Sequence, residues 1–487
     1  MKKYAKPDIQ NIYFCTIFIL ALLSGAQMLS GDSDLGRHLA LGNYILENRS
    51  VPSRDVFSHT LPDQPRPPYE WFTQVLFALT YRLLHLDGII LITALVISIT
   101  FALLYKYANS RAGSPVFVLA ATFLAAGASS IHWLPRPHVF TFLFLAIWIE
   151  RLEKLRKGAS GGLFIFPLMM LFWANMHGGF VFGVLAWGAY FAGWLWDRFR
   201  NNAARQTGLN LLIAGISSLI ASVITPDFWH NWEAILNNGN VYILSRTNET
   251  MPPSLTYPAT VPFLSLLFAT VLLFFIHRKK LPAAHFFLLA GFGFMSALMA
   301  RNIPLFAISA IPIICELAGN SLRATQTWTQ LEKRFAVFDL QTSGQILPIL
   351  MVLLICGYFS YHLARTGESI YQFNPRIFPV QAADWLEMNR QPGNMFNEFN
   401  WGGYLLYRFN GAQRVFVDSQ SDFYGEPLLK DYEQIMTAQG DWSGKLETYR
   451  IGWIIIPNNT QLAKALSEDW KWKRVYQDHT ATIFQTP

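Results

Sequence analysis

Charge is what this 487-residue chain has least of: 14% of its residues are Asp, Glu, Lys or Arg, against 52% hydrophobic. That balance excludes an ordinary soluble globular protein. Cysteine is also scarce. The three that occur, Cys15, Cys315 and Cys356, all fall inside apolar runs, so no disulfide framework is implied and no C-x-x-C metal or redox motif is present. There is no Walker-type phosphate loop and no G-x-G-x-x-G dinucleotide fingerprint, which removes the common nucleotide-binding enzymes. Internal repeats and low-complexity linkers are missing too.

What the chain has instead is long apolar runs, at about 11–29, 87–105, 114–131, 138–150, 161–176, 178–197, 208–225, 260–276, 282–300, 303–319 and 345–363. Their lengths suit tilted helices crossing a hydrocarbon layer about 30 Å thick, and they predict a polytopic α-helical membrane protein with about eleven spans. No small-residue cleavage region follows the first run, so it reads as a retained span rather than a signal peptide. The net charge of +7 comes from basic residues in short loops, among them Lys106, Arg111, Lys154, Arg156, Arg198 and Arg205. Positive-inside bias explains them without nucleic acid, and it sets the N-terminus inside and the C-terminus outside. Counting 71–86 as a further span would throw Lys106 and Arg111 to the wrong side, so that apolar segment is expected to lie at the interface, with Arg82 and His85 at the membrane surface.

This topology sorts the remaining polar groups. The outer loops 30–86 and 226–259, together with short turns, carry Asp32, Asp34, Arg37, His38, Glu70, Arg136, His138, Asn175, His177, Glu249 and Arg301. From about residue 364 the composition turns soluble, dividing the chain into a membrane domain, 1–363, and an extracytoplasmic α/β domain, 364–487. Helices are expected at "PVQAADWLEM" and "TQLAKALSEDW", and strands at "RVFVDSQ", "IGWIIIP" and "ATIFQTP". The charged segment 320–344 is expected to hold a short surface helix.

The stretch "LSGDSDLGRHLALGNYI" places two carboxylates two residues apart at the end of the first span. Asp34, assisted by Asp32, can serve as a general base, and the pair with Glu249 could hold Mg or Mn. Equally, either aspartate could simply cap the helix that follows. In "HWLPRPHVF", Arg136 and His138 sit in a loop kinked by Pro135 and Pro137, where a guanidinium can fork onto a lipid phosphate. "WANMHGGF" brings His177 to a tight turn, and Arg301 opens a span in "ARNIPLF". An arginine there needs a partner, because an unpaired charge beside hydrocarbon is costly.

Acidic residues straight after the first span, followed by an amphipathic helix led by Glu70 and Trp71, resemble the GT-C class of integral membrane glycosyltransferases. "TNET", with Glu249, and "FNWGGYLLYRFNGAQRVFVDSQSDFYG" resemble segments of single-subunit oligosaccharyltransferases, although Gly402 stands near the place of that motif's aspartate. The resemblance implies transfer of a sugar from a polyprenyl-phosphate-linked donor to a glycan, lipid or protein acceptor, at the extracytoplasmic face of a bacterial inner membrane. It implies donor-phosphate binding by Arg136, His138, His177 and Arg301. Acceptor contacts would come from Glu249, Trp401, Gly402 and Tyr404, with Arg37, His38 and Glu70 close by. Two rival functions are an oligosaccharyltransferase moving a diphosphate-linked glycan to protein, and a non-enzymatic lipid-glycan flippase or transporter. A transporter would place its ionisable residues at mid-span, whereas these gather at one rim.

Overall fold

The computed structural model describes residues 6–486, apart from 201–202, 238–239, 246–247, 278–280, 323–329, 331, 336 and 339–343. Each of the eleven apolar runs forms helix. Among the described residues, five of these helices are long and apolar enough to cross a membrane: Trp71–Ala112, Pro115–His132, Thr260–His277, Ala300–Gly319 and Ile346–Thr366. Ile9–Leu23, Ile165–Met176 and Ala283–Leu298 are shorter apolar helices. The chain is an integral membrane protein by this architecture. Ile346–Thr366 lies at the margin of the bundle and leaves Leu353 and Leu354 exposed, as a lipid-facing helix would.

The helix Trp71–Ala112 runs for 42 residues, about 60 Å at 1.5 Å per residue, twice what a bilayer core needs. It is two helices in one. Leu84 and His85 leave helical geometry, His85 at φ 50°, and the break divides an amphipathic first part from an apolar second part, where the loop charges place the start of the span. The first part docks on the helix Leu35–Asn48 so closely that a Cβ on Gly42 would meet the Gln74 carbonyl at 2.0 Å. Arg82 reaches the same helix, donating to Asn43 Oδ1 over 3.2 Å.

Two polar caps close the apolar bundle at opposite ends. At one, Glu153 collects Arg111 at 2.8 Å, Arg156 at 2.7 Å and His285 at 2.9 Å, while Glu316 also pairs with Arg111. At the other end lie the aspartates of the first loop. Of segment 320–344, residues 332–335 are helical, and much of the remainder lies outside the described residues. There Glu332 accepts from the Ser114 hydroxyl over 2.7 Å and so holds this segment to the start of the helix Pro115–Ser129.

The C-terminal part folds around a four-stranded sheet: β1 (Asn394–Asn397), β2 (Ile451–Pro457), β3 (Lys473–Gln477) and β4 (Ala481–Gln485), in the order β1-β2-β4-β3. β1 runs parallel to β2, and the other pairings are antiparallel, with Ile455 opposite Ile483. β2, β4 and the helices Val380–Met388 and Gln461–Glu468 lie where the hydrophobic pattern predicts them. The linker is pinned to the bundle, since the N–H groups of Ile370 and Tyr371 both donate to Asp87, at 3.0 and 2.9 Å.

The strand expected at "RVFVDSQ" does not form. Only Val415 makes a bridge, to Ser58 of the loop 49–70. The Asn397 side-chain amide takes the place of a neighbouring strand, accepting from Phe416 N–H at 2.8 Å and donating to the Val417 carbonyl at 2.9 Å. The backbone then turns as Asp418 accepts from Gln420 N–H at 2.9 Å. β1 and β3 were not anticipated by the sequence pattern, because four and five residues with mixed polarity carry little alternation.

Candidate functional site

The loop after Ser30 decides which aspartate caps and which is free. Asp32 Oδ1 accepts from the N–H groups of Asp34, at 2.7 Å, and Leu35, at 3.3 Å, so Asp32 supplies the cap for the helix Leu35–Asn48. Asp34 occupies the N-cap position itself, yet its side chain makes no capping bond. Its carboxylate is left to face Arg136 at 2.9 Å and to accept from the Ser419 hydroxyl. Asp32 is wholly buried, with Oδ2 unbonded among the described residues.

Arg136 is set between two prolines that fix the backbone on either side. Its guanidinium bridges Asp32 at 2.8 Å, Asp34 at 2.9 Å and Glu249 at 3.4 Å. Expected to grasp a donor phosphate, Arg136 instead has Nε and Nη1 engaged by carboxylates, because three acids surround one cation. Nη2 makes no bond among the described residues. Glu249, expected on the acceptor side, belongs to this cluster and also lies 3.7 Å from His132.

Glu70 stands at the start of the helix Trp71–Ala112, 3.9 Å from Arg37, 3.8 Å from His38 and 3.8 Å from His177. His177 Nδ1 accepts from Gly179 N–H at 3.0 Å and lies 2.8 Å from the Thr141 hydroxyl, which itself accepts from Trp173. A neutral His177 therefore carries its proton on Nε2, facing Glu70. The His138 ring lies 4.7 Å from that of His132 and 6.3 Å from that of His177, and its Nε2 donates to the His132 carbonyl over 2.7 Å. Arg301 makes no ion pair among the described residues, and its charge acts on His132 and His177.

Burial and charge together set the protonation states. Asp34 is driven up by burial, but Arg136, Arg37, His38 and the Ser419 bond outweigh this and hold its carboxyl well below the usual carboxylate range. Asp32 moves the other way, to about 6, because burial dominates and the Asp34 charge adds to it. Burial likewise lifts Glu70 to about 7, against the pull of Arg37. Burial, His138 and Arg301 lower His177 to about 3, keeping it neutral.

The C-terminal domain closes over this loop. Gly36 and Gly403 interlock, since a Cβ on Gly36 would meet the Gly403 carbonyl at 2.2 Å and one on Gly403 would meet the Ser33 carbonyl at 2.4 Å. Gly402, Gly403 and Tyr404 belong to the helix Gly402–Arg408. Gly402 is packed against the Val417 carbonyl, and Tyr404 is buried against Phe373 and Phe378. These two, expected to touch an acceptor, are placed in the packing that supports the loop, because only glycine permits the close approach. Trp401 is also buried, its indole N–H donating to the Ile377 carbonyl at 2.8 Å. Ser419 and His132 went unassigned in the sequence, although both lie inside quoted motifs; neither residue type announces a role until its partner is known.

A metal would need the space between Asp32, Asp34 and Glu249. The Arg136 guanidinium fills it, and among the described residues no group of three or more His, Cys, Asp or Glu is arranged to hold a metal ion. The side chains as arranged do not fit a divalent cation.

No protein family model matches the chain, and no curated protein does. Solved structures do. The oligosaccharyltransferase AglB of Archaeoglobus fulgidus, in complex with an inhibitory peptide and a dolichol-phosphate, aligns with a TM-score of 0.61 at 13% identity, over 91% of this chain and 69% of that one. The apo form of the Archaeoglobus fulgidus oligosaccharyltransferase gives 0.57 at 12% identity with the same coverage. ArnT from Cupriavidus metallidurans bound to undecaprenyl phosphate aligns over 97% of both chains at 10% identity, with a TM-score of 0.47. The chain is thus similar in fold to the archaeal oligosaccharyltransferase.

Proposed function

We propose that this protein is a glycosyltransferase that moves a sugar from a polyprenyl-phosphate-linked donor to an acceptor, with about eleven spans, its N-terminus inside and the reaction at the extracytoplasmic face of a bacterial inner membrane. The observation that carries this reading is the division of the first loop: Asp32 caps, and Asp34, ionised and released from capping, faces Arg136 at 2.9 Å. His177, held neutral, faces Glu70 at 3.8 Å, and Arg301, which makes no ion pair among the described residues, acts on His177. A carboxylate whose arginine can turn to an arriving phosphate is what transfer from a phosphate leaving group requires.

In this reading the acceptor hydroxyl attacks the anomeric carbon, its proton passes to Asp34, and the bond to the lipid phosphate breaks with the electron pair leaving on phosphate oxygen. Asp34 is a weak base while Arg136 holds it. Arrival of the donor phosphate would draw Arg136 and its free Nη2 away from the carboxylates, with Arg301 and the Nε2–H of His177 as further partners. Losing its guanidinium raises the basicity of Asp34 at the moment it is needed. No step is routed through a metal; insensitivity to chelator would agree with this arrangement, and restoration of activity by Mg or Mn would overturn it.

The second reading, transfer of a diphosphate-linked glycan to protein, draws on the fold shared with the archaeal enzyme, and a preference for an oligosaccharide diphosphate donor would establish it. The deciding experiment gives radiolabelled polyprenyl-phosphate sugar to the purified protein, Asp34→Asn and Arg136→Ala. Turnover by the wild type alone supports the site; equal turnover by all three removes it.

A further inference from the structure

On the far side of the Asp32–Asp34 loop a second cavity opens, with a volume of about 590 Å³. Ser30, Gly31 and Ser33 line one side and residues of the C-terminal part the other. A cavity of this size suits two or three linked small rings rather than a single ion. Its floor is apolar and closed: Phe378 and Trp401 are both buried. Its rim is polar. Glu398 accepts from Trp401 N–H at 3.0 Å and from the Asn400 amide at 2.9 Å, fixing that turn while the Asn400 side-chain oxygen makes no hydrogen bond among the described residues.

Several rim groups have unspent hydrogen-bonding capacity. The Arg376 guanidinium, the Asn459 amide, the His479 ring and the Ser33 hydroxyl make no hydrogen bond or ion pair among the described residues, and all four line the cavity. Asn458 beside them differs, since its amide donates to the Asp478 carbonyl at 2.7 Å and its carbonyl accepts from Thr482. The open set is amide, hydroxyl, imidazole and guanidinium, which matches a ligand rich in hydroxyls and carrying some negative charge. Ile377 is exposed on the cavity wall, too small an apolar face for an acyl chain. A peptide held by main-chain pairing would need a strand edge, and this cavity opens between loops.

We infer that this cavity is a glycan-binding subsite that holds the body of the acceptor, with preference for a saccharide bearing an acidic group. The inference rests on the transferase reading for the word acceptor, and on the cavity alone for the word glycan. Ser33 lies between the two aspartates in sequence, so a saccharide bound here rests one residue from the reacting loop. Arg376 meets the acidic substituent, while Asn459, Asn400 and Ser33 exchange hydrogen bonds with ring hydroxyls.

The test is ligand-observed NMR on the full-length protein in detergent, with trigalacturonate and maltotriose as probes at millimolar concentration. Trigalacturonate is expected to bind, maltotriose more weakly, and the pair Arg376→Ala and Asn459→Ala to weaken binding about tenfold or more. Both residues are exposed, so the variants should fold. Asn458→Ala, whose amide is spent internally, serves as a check that the loss follows the open groups. Absence of binding by both saccharides, or binding that the two variants leave unchanged, overturns the subsite; tighter binding of maltotriose overturns its acidic preference. Asp34→Asn is expected to bind trigalacturonate as the wild type does. Saccharide binding without donor turnover would count against the transferase reading alone, and donor turnover without saccharide binding against the subsite alone.

Discussion

Two arginines, Arg66 and Arg136, each gather carboxylates from distant parts of the chain, and they differ in what is left over. Arg66 donates to Asp55 at 2.5 Å, to Asp418 at 3.0 Å and to Gln420 at 2.7 Å, and its guanidinium lies 4.4 Å from the centre of the Phe423 ring. Both acids there have side chains with no exposure, and Asp55 also accepts from Ser58. Every fork of the arginine is used. Around Arg136, by contrast, three acids meet one cation, Asp34 and Glu249 keep 16% and 30% of their side-chain surface, and Asp32 Oδ2 is unbonded among the described residues. The first arrangement is closed, with every fork of its arginine bonded, and it clamps the loop 49–70 to the C-terminal part. The second is open, with three acids to one arginine and an arm of that arginine unspent, which is what a site waiting for a charged ligand looks like.

The comparison can be broken most sharply at Asp34. Asp34→Asn should cut donor turnover by roughly 10³-fold, since one carboxylate carries the proton transfer, and purified protein with radiolabelled donor measures it. Next in size is the clamp. Arg66→Ala leaves two buried carboxylates without a counter-ion and should cost about 3–5 kcal/mol, seen as a loss of folded protein in denaturant or thermal scans.

A smaller effect is expected at Ser419, whose hydroxyl lowers the Asp34 carboxyl. Ser419→Ala should reduce turnover only a few-fold, roughly the worth of one hydrogen bond to a charged group, and should move the acid limb of the pH profile to higher pH. An unmoved limb would mean that Asp34 does not govern it.

The smallest effect concerns Glu70. Its folded value of about 7 exceeds the ordinary 4.5, so between these pH values the folded state holds a proton that the unfolded chain has lost. This carboxyl's contribution to stability is therefore present below about 4.5 and declines as pH rises through 7. Glu70→Gln should flatten the wild-type fall in melting temperature across that window; an unchanged slope would remove Glu70 as its source.

Much of the architecture was legible because burial in lipid demands long apolar helices, and these stand out in any sequence. The β2 and β4 strands were legible for the same reason, as short runs of Ile and Phe. Residues 414–420 misled because their pattern is that of a strand, while the pairing partner is an Asn397 side chain, which no periodicity records. At the site, loop sorting set Asp34, Arg136, Glu249 and His177 on one side of the membrane; the structure joins the first three through Arg136, at 2.9 and 3.4 Å, and places His177 against Glu70. The sorting could not assign their partners, since nothing in "HWLPRPHVF" shows that three carboxylates surround Arg136. Gly402 and Tyr404 read as a recognition motif until their packing against Val417 and Phe373 is seen.

The most direct measurement sets Asp34→Asn beside Asp418→Asn and records melting temperature and donor turnover for each. A site at Arg136 and a clamp at Arg66 predict that Asp34→Asn loses much less melting temperature than Asp418→Asn yet turns over donor roughly 10³-fold more slowly, while Asp418→Asn retains turnover in proportion to the protein still folded. If Asp34→Asn falls in melting temperature as far as Asp418→Asn and its folded fraction turns over donor normally, the two clusters are the same kind of thing and the account is wrong.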